Sequence, residues 1–182
     1  NPFVFEALKK FVLPELIERR NGDGLRVWCA GCARGEEAYS IAIILNEIMR
    51  EELLFTYLFI LATDIDVNAL EDGQKAVYTD EALSEIKKGY FDRYFIAEGD
   101  SYRLKDEIRA MVTFASHDIT TCKPPKEGIF SSYHIIFCRN VLIYLDRHTQ
   151  AKVLKSLSEF LLNKGYLILG EAEIMPQQLS GD

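Results

Sequence analysis

The stretch Val27-Trp28-Cys29-Ala30-Gly31-Cys32-Ala33-Arg34-Gly35-Glu36-Glu37-Ala38-Tyr39-Ser40 decides the fold. It opens as a short apolar run after the turn signal Asn21-Gly22-Asp23-Gly24. It then passes through small residues and two glycines and enters an amphipathic helix at Glu36. A strand, a glycine loop and a helix in that order put backbone N–H groups and a helix N-terminus in a crevice above a sheet. Such a crevice suits a nucleotide-like ligand. The spacing Gly31-x-x-x-Gly35 is not the G-x-G-x-x-G of dinucleotide-binding folds, and no G-K-[ST] follows, so neither of those phosphate cradles is present.

Outward from this stretch the chain alternates strands and helices. Residues 2–20 carry Phe3, Phe5, Leu8, Phe11, Val12, Leu16 and Ile17 at mostly helical spacing, with Pro14 either kinking the segment or starting a second helix. The first strand is expected at 26–29 and a helix at 36–50, whose acidic first turn suits the helix dipole. Residues 53–63 form a nearly continuous apolar run, as a parallel strand covered on both faces requires. Two short helices are expected at 67–77 and 80–89, separated by Tyr78-Thr79. Glu98-Gly99-Asp100-Ser101 reads as a turn within a small hairpin insert at about 94–104. Further strands are expected at 112–115, 133–138 and 166–169, with a helix at 147–162 closed by Asn163-Lys164-Gly165 as a glycine C-cap. This order predicts one α/β domain over residues 1–182, a doubly wound, mostly parallel sheet with helices on both faces.

Composition narrows the function. With 48% hydrophobic and 27% charged residues among 182, the chain can bury a sizeable core. A net charge of −7 and a pI near 5.1 argue against a general nucleic-acid binder. No apolar run is long enough to span a bilayer, so no membrane insertion is expected. Cys29 and Cys32 form a C-x-x-C, readable as a redox pair or half a zinc site. No second C-x-x-C follows, and His117, His134 and His148 show no ligand spacing. The pair therefore reads as small residues at a strand end, with no metal and a reducing, cytoplasmic setting.

In an open parallel sheet the ligand lies at the carboxyl ends of the strands. The expected strands end in the glycine loop, Asp64, Asp118, Arg139-Asn140 and Gly170-Glu171. A carboxylate ending the second strand can accept from both ribose hydroxyls, although Asp64 or Asp66 could instead cap the next helix, Asp66 the more readily. Glu36 and Glu37 would repel a pyrophosphate but receive an ammonium or sulfonium. The loop thus favours a nucleoside without phosphates, of which S-adenosylmethionine is the common example.

Three motifs, Trp28-Cys-Ala-Gly-Cys-Ala-Arg-Gly-Glu-Glu-Ala-Tyr-Ser40, Ala62-Thr-Asp-Ile-Asp66 and Phe137-Cys-Arg-Asn-Val-Leu-Ile-Tyr144, resemble the chemotaxis receptor methyltransferases, the CheR family of class I S-adenosylmethionine-dependent enzymes. The resemblance runs from about Asn1 to Glu173. It implies a Rossmann-like methyltransferase that esterifies glutamate side chains on chemoreceptor signalling helices, acting as a monomer and releasing S-adenosylhomocysteine. It further implies that Ala30, Gly31 and Glu36 hold the methionine part and Asp64 the ribose. Asp118 and Ile119 would border the adenine, and Cys138, Arg139 and Asn140 would line the cofactor near its sulfonium. Arg139 and Tyr144 would face the incoming glutamate as the catalytic pair. On residues alone, Arg139 could equally pair with a loop acid, and Tyr144 could be a half-buried core aromatic.

The chain departs from the family in places. Gly170-Glu171-Ala172-Glu173 stands where Gly-[His/Ser]-Ser-Glu is usual, adding a charge expected to weaken an acidic substrate's approach, and Ala38 replaces a common proline. The family's N-terminal helical domain and a Thr- and Arg-containing segment would precede Asn1, and a closing antiparallel hairpin would follow Pro176. These absences read as a fragment. The short hairpin leaves docking of a receptor's C-terminal peptide doubtful. Two other readings stand beside the leading one: a non-catalytic module of this fold that binds cofactor or a partner, and a class I methyltransferase acting on a small molecule.

Overall fold

The computed structural model describes residues 2–19, 24–51, 57–84, 86–128 and 130–173. The central sheet has five strands in the order β6-β2-β1-β7-β8. These are β1 (Leu25–Ala30), β2 (Leu58–Asp64), β6 (Val112–Ser116), β7 (Tyr133–Cys138) and β8 (Leu161–Leu169), and every pairing among them is parallel. Successive side chains of a strand point to opposite faces. On β1, Leu25, Val27 and Cys29 enter one core, while Trp28 and Ala30 enter the other. A strand that must satisfy two cores has no room for polar alternation, which is why β1, β2 and β7 read as apolar runs.

Helices cover both faces. Helix α3 (Glu36–Glu51) packs Ile41, Ala42, Leu45 and Ile48 into the first core. The leading segment, α1 (Pro2–Ala7), a π-helical turn (Leu8–Val12) and α2 (Leu13–Arg19), adds Leu8, Leu13 and Leu16 to it. Pro14 is the second residue of α2, and the π-helical turn ahead of it accommodates the missing N–H without breaking the helix. Helix α7 (Arg147–Glu159) packs Val153, Leu154 and Leu157 on the second core. The chain reverses direction across the sheet between β1 and β7, which opens a crevice above their carboxyl ends.

Several expected boundaries differ. Helix α4 (Val67–Lys75) stops at a left-handed Ala76, and Val77–Thr79 becomes β3. β-Branched and aromatic residues favour that outcome, and a partner is available in β5 (Ser101–Leu104). The hairpin of β4 (Phe95–Glu98) and β5 therefore belongs to a three-stranded antiparallel sheet, β3-β5-β4, packed beside the main sheet. The helix expected at 80–89 is replaced by turns at 80–84 and by α5 (Lys88–Tyr94). A one-turn helix, α6 (Asp106–Arg109), leads into β6. Helix α7 ends at Glu159 rather than at 162, because Leu161 already pairs with Tyr133. Asn163-Lys164-Gly165 forms a bulge in β8, with Lys164 at φ 62°, instead of a helix cap. The first residues of the run expected at 53–63, up to 56, and the hairpin expected after Pro176 lie outside the described residues.

Candidate cofactor and acceptor site

The glycine turn that follows β1 is built from left-handed backbone: Gly31 at φ 74°, Ala33 at φ 47° and Gly35 at φ 81°. Its first two N–H groups, of Gly31 and Cys32, both donate to the Thr63 carbonyl at the end of β2, at 2.7 and 2.9 Å. Thr63 is itself fixed, its Oγ1 accepting from Trp28 Nε1 at 2.9 Å. A Cβ on Gly31 would overlap Val141 Cγ2, and one on Gly35 would come within 2.6 Å of Phe114 Cζ. The turn is thus closed against the end of β2, Phe114 of β6 and the loop after β7, and glycine is required at both places.

Asp64 and Asp66 divide the roles that the sequence left open. Asp66 Oδ1 caps α4, accepting from the N–H groups of Asn68 and Ala69 at 2.9 and 3.2 Å. Asp64 instead faces the glycine turn, its Oδ2 accepting from Ala33 N–H at 2.8 Å and its Oδ1 from Asp66 N–H at 3.0 Å. Each carboxylate oxygen has a second acceptor site, so the half-buried group can still take ligand hydroxyls. Ile65, which the sequence reading passed over, stands 67% exposed beside it and offers an apolar surface at the rim.

The loop after β7 carries the most distinctive motif. Cys138 is fully buried in the second core, so only its backbone can reach a ligand above the strand end. Arg139 Nη1 donates to Glu37 Oε1 in a largely buried ion pair, with the side chains 13% and 23% exposed. Its Nε is buried and has no hydrogen-bond partner. Asn140 takes a left-handed conformation at φ 59°, turning the chain into a 3₁₀ turn, Leu142–Tyr144. Gln150 of α7 donates to the carbonyls of Leu142 and Leu145 at 2.9 and 3.0 Å, which ties that turn down. Tyr144 is 83% exposed at the rim and is no part of a core.

The remaining sequence candidates are dispersed around this centre. Glu36 is exposed at the N-terminus of α3. Ala30 is buried, so it too offers only backbone. Asp118 uses Oδ1 to accept from the N–H and hydroxyl of Thr120, at 2.9 and 2.7 Å, which caps the 3₁₀ turn Ile119–Thr121. The Thr120 hydroxyl, with its N–H, holds the Asp118 carboxyl below the usual carboxylate range. Ile119 packs half-buried against the second core. A cleft of about 610 Å³ runs from Glu36, Glu37 and Arg139 along α3 to Tyr90 and Phe95 of the insert. Among the described residues, no group of three or more His, Cys, Asp or Glu is placed to hold a metal ion.

Sequence reading also missed Glu37 as the partner of Arg139, and Glu173, whose carboxylate reaches back to the β7 loop. Neither contact has a local signal, since each joins residues at least 31 positions apart. The C-x-x-C is chemically quiet. Burial pushes the Cys32 thiol up to about 12 and holds that of Cys29 well above the ordinary thiol range, so neither is a nucleophile at neutral pH.

The chain is similar to known proteins. The family model described as CheR methyltransferase, SAM binding domain, matches residues 1–181. Cher3 of Pseudomonas putida is 34% identical over 181 residues, covering 95% of this chain and 62% of Cher3. Chemotaxis protein methyltransferase 1 of Pseudomonas aeruginosa is 32% identical over 177 residues, covering 95% of this chain and 63% of its own. The chain therefore spans a little under two thirds of the length of these relatives. The DszA carbon methyltransferase structure superposes with a TM-score of 0.56 at 19% identity, covering 92% of this chain and 35% of that one. The rRNA methyltransferase aviRa from Streptomyces viridochromogenes gives 0.51 at 14% identity, covering 93% and 76%. Those two likenesses establish a shared fold alone, a Rossmann-like sheet with helices on both faces. Matched by the family model over all but its last residue, the chain belongs to the CheR methyltransferases, as their SAM-binding domain.

Proposed function

We propose that this chain is the catalytic domain of a cytoplasmic protein-glutamate O-methyltransferase that esterifies glutamate side chains on chemoreceptor signalling helices, working as a monomer. The observation that carries the reading is Arg139: a guanidinium at the topological switch point, already holding a carboxylate, beside the glycine turn. Arginine's planar fork suits a carboxylate better than a point charge does, and four of its five N–H donors remain beyond the Glu37 bond.

The crevice fits S-adenosylmethionine, which when bound supplies a methyl group activated by a sulfonium. Gly31 has no side chain of its own, so its backbone would face the methionine part while Val141 packs on the side where a Cβ would stand. Asp64 has acceptor capacity for the ribose hydroxyls and Ile65 an apolar face for the base. Glu36 at the rim suits the ammonium. Asp118, Ile119, Cys138 and Asn140 complete the surround, Cys138 through its backbone.

The acceptor carboxylate is ionised at neutral pH and needs no general base. Orientation is what the protein supplies, and alignment of that kind can be worth about 7–11 kcal/mol. Arg139 would hold one carboxylate oxygen and leave the other as nucleophile. Tyr144, exposed at the rim, would pack beside the reacting group or donate to it. The family membership and the names of the relatives support this substrate class.

The test is incubation of the protein carrying this domain with labelled cofactor and receptor cytoplasmic fragments. Label that alkali releases as methanol is expected, as carboxyl esters hydrolyse in base. Alkali-stable label would overturn the ester, and full activity in the double variant Arg139→Ala, Tyr144→Phe would overturn the site.

A further inference from the structure

The loop at 139–144 carries N–H groups beyond the last residue of β7. Two of them, on Val141 and Leu142, converge on a single oxygen, Glu173 Oε1, at 2.8 Å each. The other oxygen, Oε2, accepts from Gly170 N–H at 2.6 Å, and Glu173 N–H closes the turn on Gly170 carbonyl at 3.0 Å. Four residues after β8 therefore fold back to present one carboxylate to the neighbouring strand's loop. Gly170 permits that approach: a Cβ there would lie 2.9 Å from Glu173 Oε2 and 3.0 Å from the Asn140 nitrogen.

We infer that Glu173 is a positioning residue for methyl transfer: its carboxylate pins the backbone of the β7 loop and so sets where Arg139 and Asn140 stand relative to the glycine turn. The loop has little slack on its other side, where Val141 rests directly on Gly31. The carboxylate accepts from both of these N–H groups, and it holds the loop entirely through backbone. The inward acid, Glu173, is the one that also closes the usual Gly-[His/Ser]-Ser-Glu pattern, and the charge that this chain adds is the exposed Glu171.

The inference rests on the proposed methyl transfer for its catalytic readout but not for its geometric one. Chain length matters more than charge here. Glu173→Gln can keep its carbonyl oxygen on Val141 and Leu142, at the expense of the Gly170 bond alone. Glu173→Asp keeps the charge but is one methylene short of the loop. In the protein carrying this domain, Glu173→Asp should lower kcat for receptor methylation about 100-fold per cofactor-binding site, as a displacement of about 1 Å can do. The receptor KM should change little, and Glu173→Gln should stay within about 5-fold of wild type. Amide exchange at Val141 and Leu142 should accelerate in Glu173→Asp and Glu173→Ala while the central strands stay protected. A loss that tracks only the folded fraction, or Asp outperforming Gln, would overturn the positioning role. Unchanged exchange at the two amides would overturn the clamp itself. Wild-type protein that forms no alkali-labile ester, with the exchange pattern as expected, would instead remove the proposed reaction and leave the clamp standing.

Discussion

Replacing Gly31 by alanine should harm this protein for two separable reasons, and a small set of variants can part them. The residue sits at φ 74°, where an L side chain costs about 1–2 kcal/mol. The new Cβ would also overlap Val141 Cγ2 and lie 3.3 Å from both Val141 Cβ and Cγ1, inside the about 3.5–4.0 Å optimum for carbon contacts. Overpacking of that kind costs about 1–3 kcal/mol. The combined loss of about 3 kcal/mol would lower Tm by roughly 6–12 °C for a domain of this size. Gly99 supplies the control, since it has φ 60° with nothing within 4 Å of its Cβ. Gly99→Ala should therefore show only the backbone part, about 1–2 kcal/mol. Trimming the opposing side chain should rescue the clash alone: Val141→Ala added to Gly31→Ala should recover at least about 1 kcal/mol relative to additivity. Urea unfolding of the four variants measures all of this, and calorimetry with S-adenosylhomocysteine should find weaker binding to Gly31→Ala. Equal losses in Gly31→Ala and Gly99→Ala, or strict additivity with Val141→Ala, would refute the idea that the glycine turn and the β7 loop are held in mutual contact.

Two further outcomes follow from titratable groups. Burial tends to raise the Glu47 carboxyl, but hydrogen bonds from Tyr94 and Arg93, together with the arginine's charge, outweigh it and hold the group below its ordinary 4.5. A depressed carboxylate contributes stability above its unfolded value and loses it as pH falls through the folded one. The stability gap between wild type and Glu47→Gln, measured by urea titration, should be constant near neutral pH and close below about pH 4.5; a pH-independent gap would sink this account. Burial likewise pushes the Cys32 and Cys138 thiols up to about 12 and raises Cys29, so iodoacetamide at mildly alkaline pH should label all three in urea and almost none in the native protein. Rapid native labelling, or a Cys29–Cys32 disulfide, would revive the redox reading of the C-x-x-C.

What the sequence made legible was whatever a strand or helix repeats. β1, β2 and β7 face two cores, so their apolar runs mark them, and the residues that end those runs mark the rim. The errors fell where short segments had to choose a partner. Tyr78-Thr79 reads as a break between two helices and Val77 as the end of the first, since three strand-favouring residues are too few to show a strand until β5 pairs with them. Leu161 looked like the last turn of α7 because a leucine suits either state, and pairing with Tyr133 decided it. In both cases a tertiary hydrogen-bond partner decided what so short a segment left open.

The site residues follow the same division, and Arg139 makes the point most sharply. The sequence left two readings, an ion pair with a loop acid or a clamp for an incoming carboxylate, and these are usually taken as alternatives. The geometry makes them compatible. A guanidinium only 13% exposed cannot stand uncompensated, because a buried charge without a partner costs several kcal/mol. Glu37 removes that penalty while engaging one of five donors, and does so at the mouth of the cleft where an acceptor carboxylate would enter. A resting partner would therefore let an arginine stand in a largely dry position and still receive the second carboxylate of the proposed reaction. The same reasoning explains why two consecutive acids open α3: Glu36 remains exposed at the rim, while Glu37 is turned inward to hold Arg139.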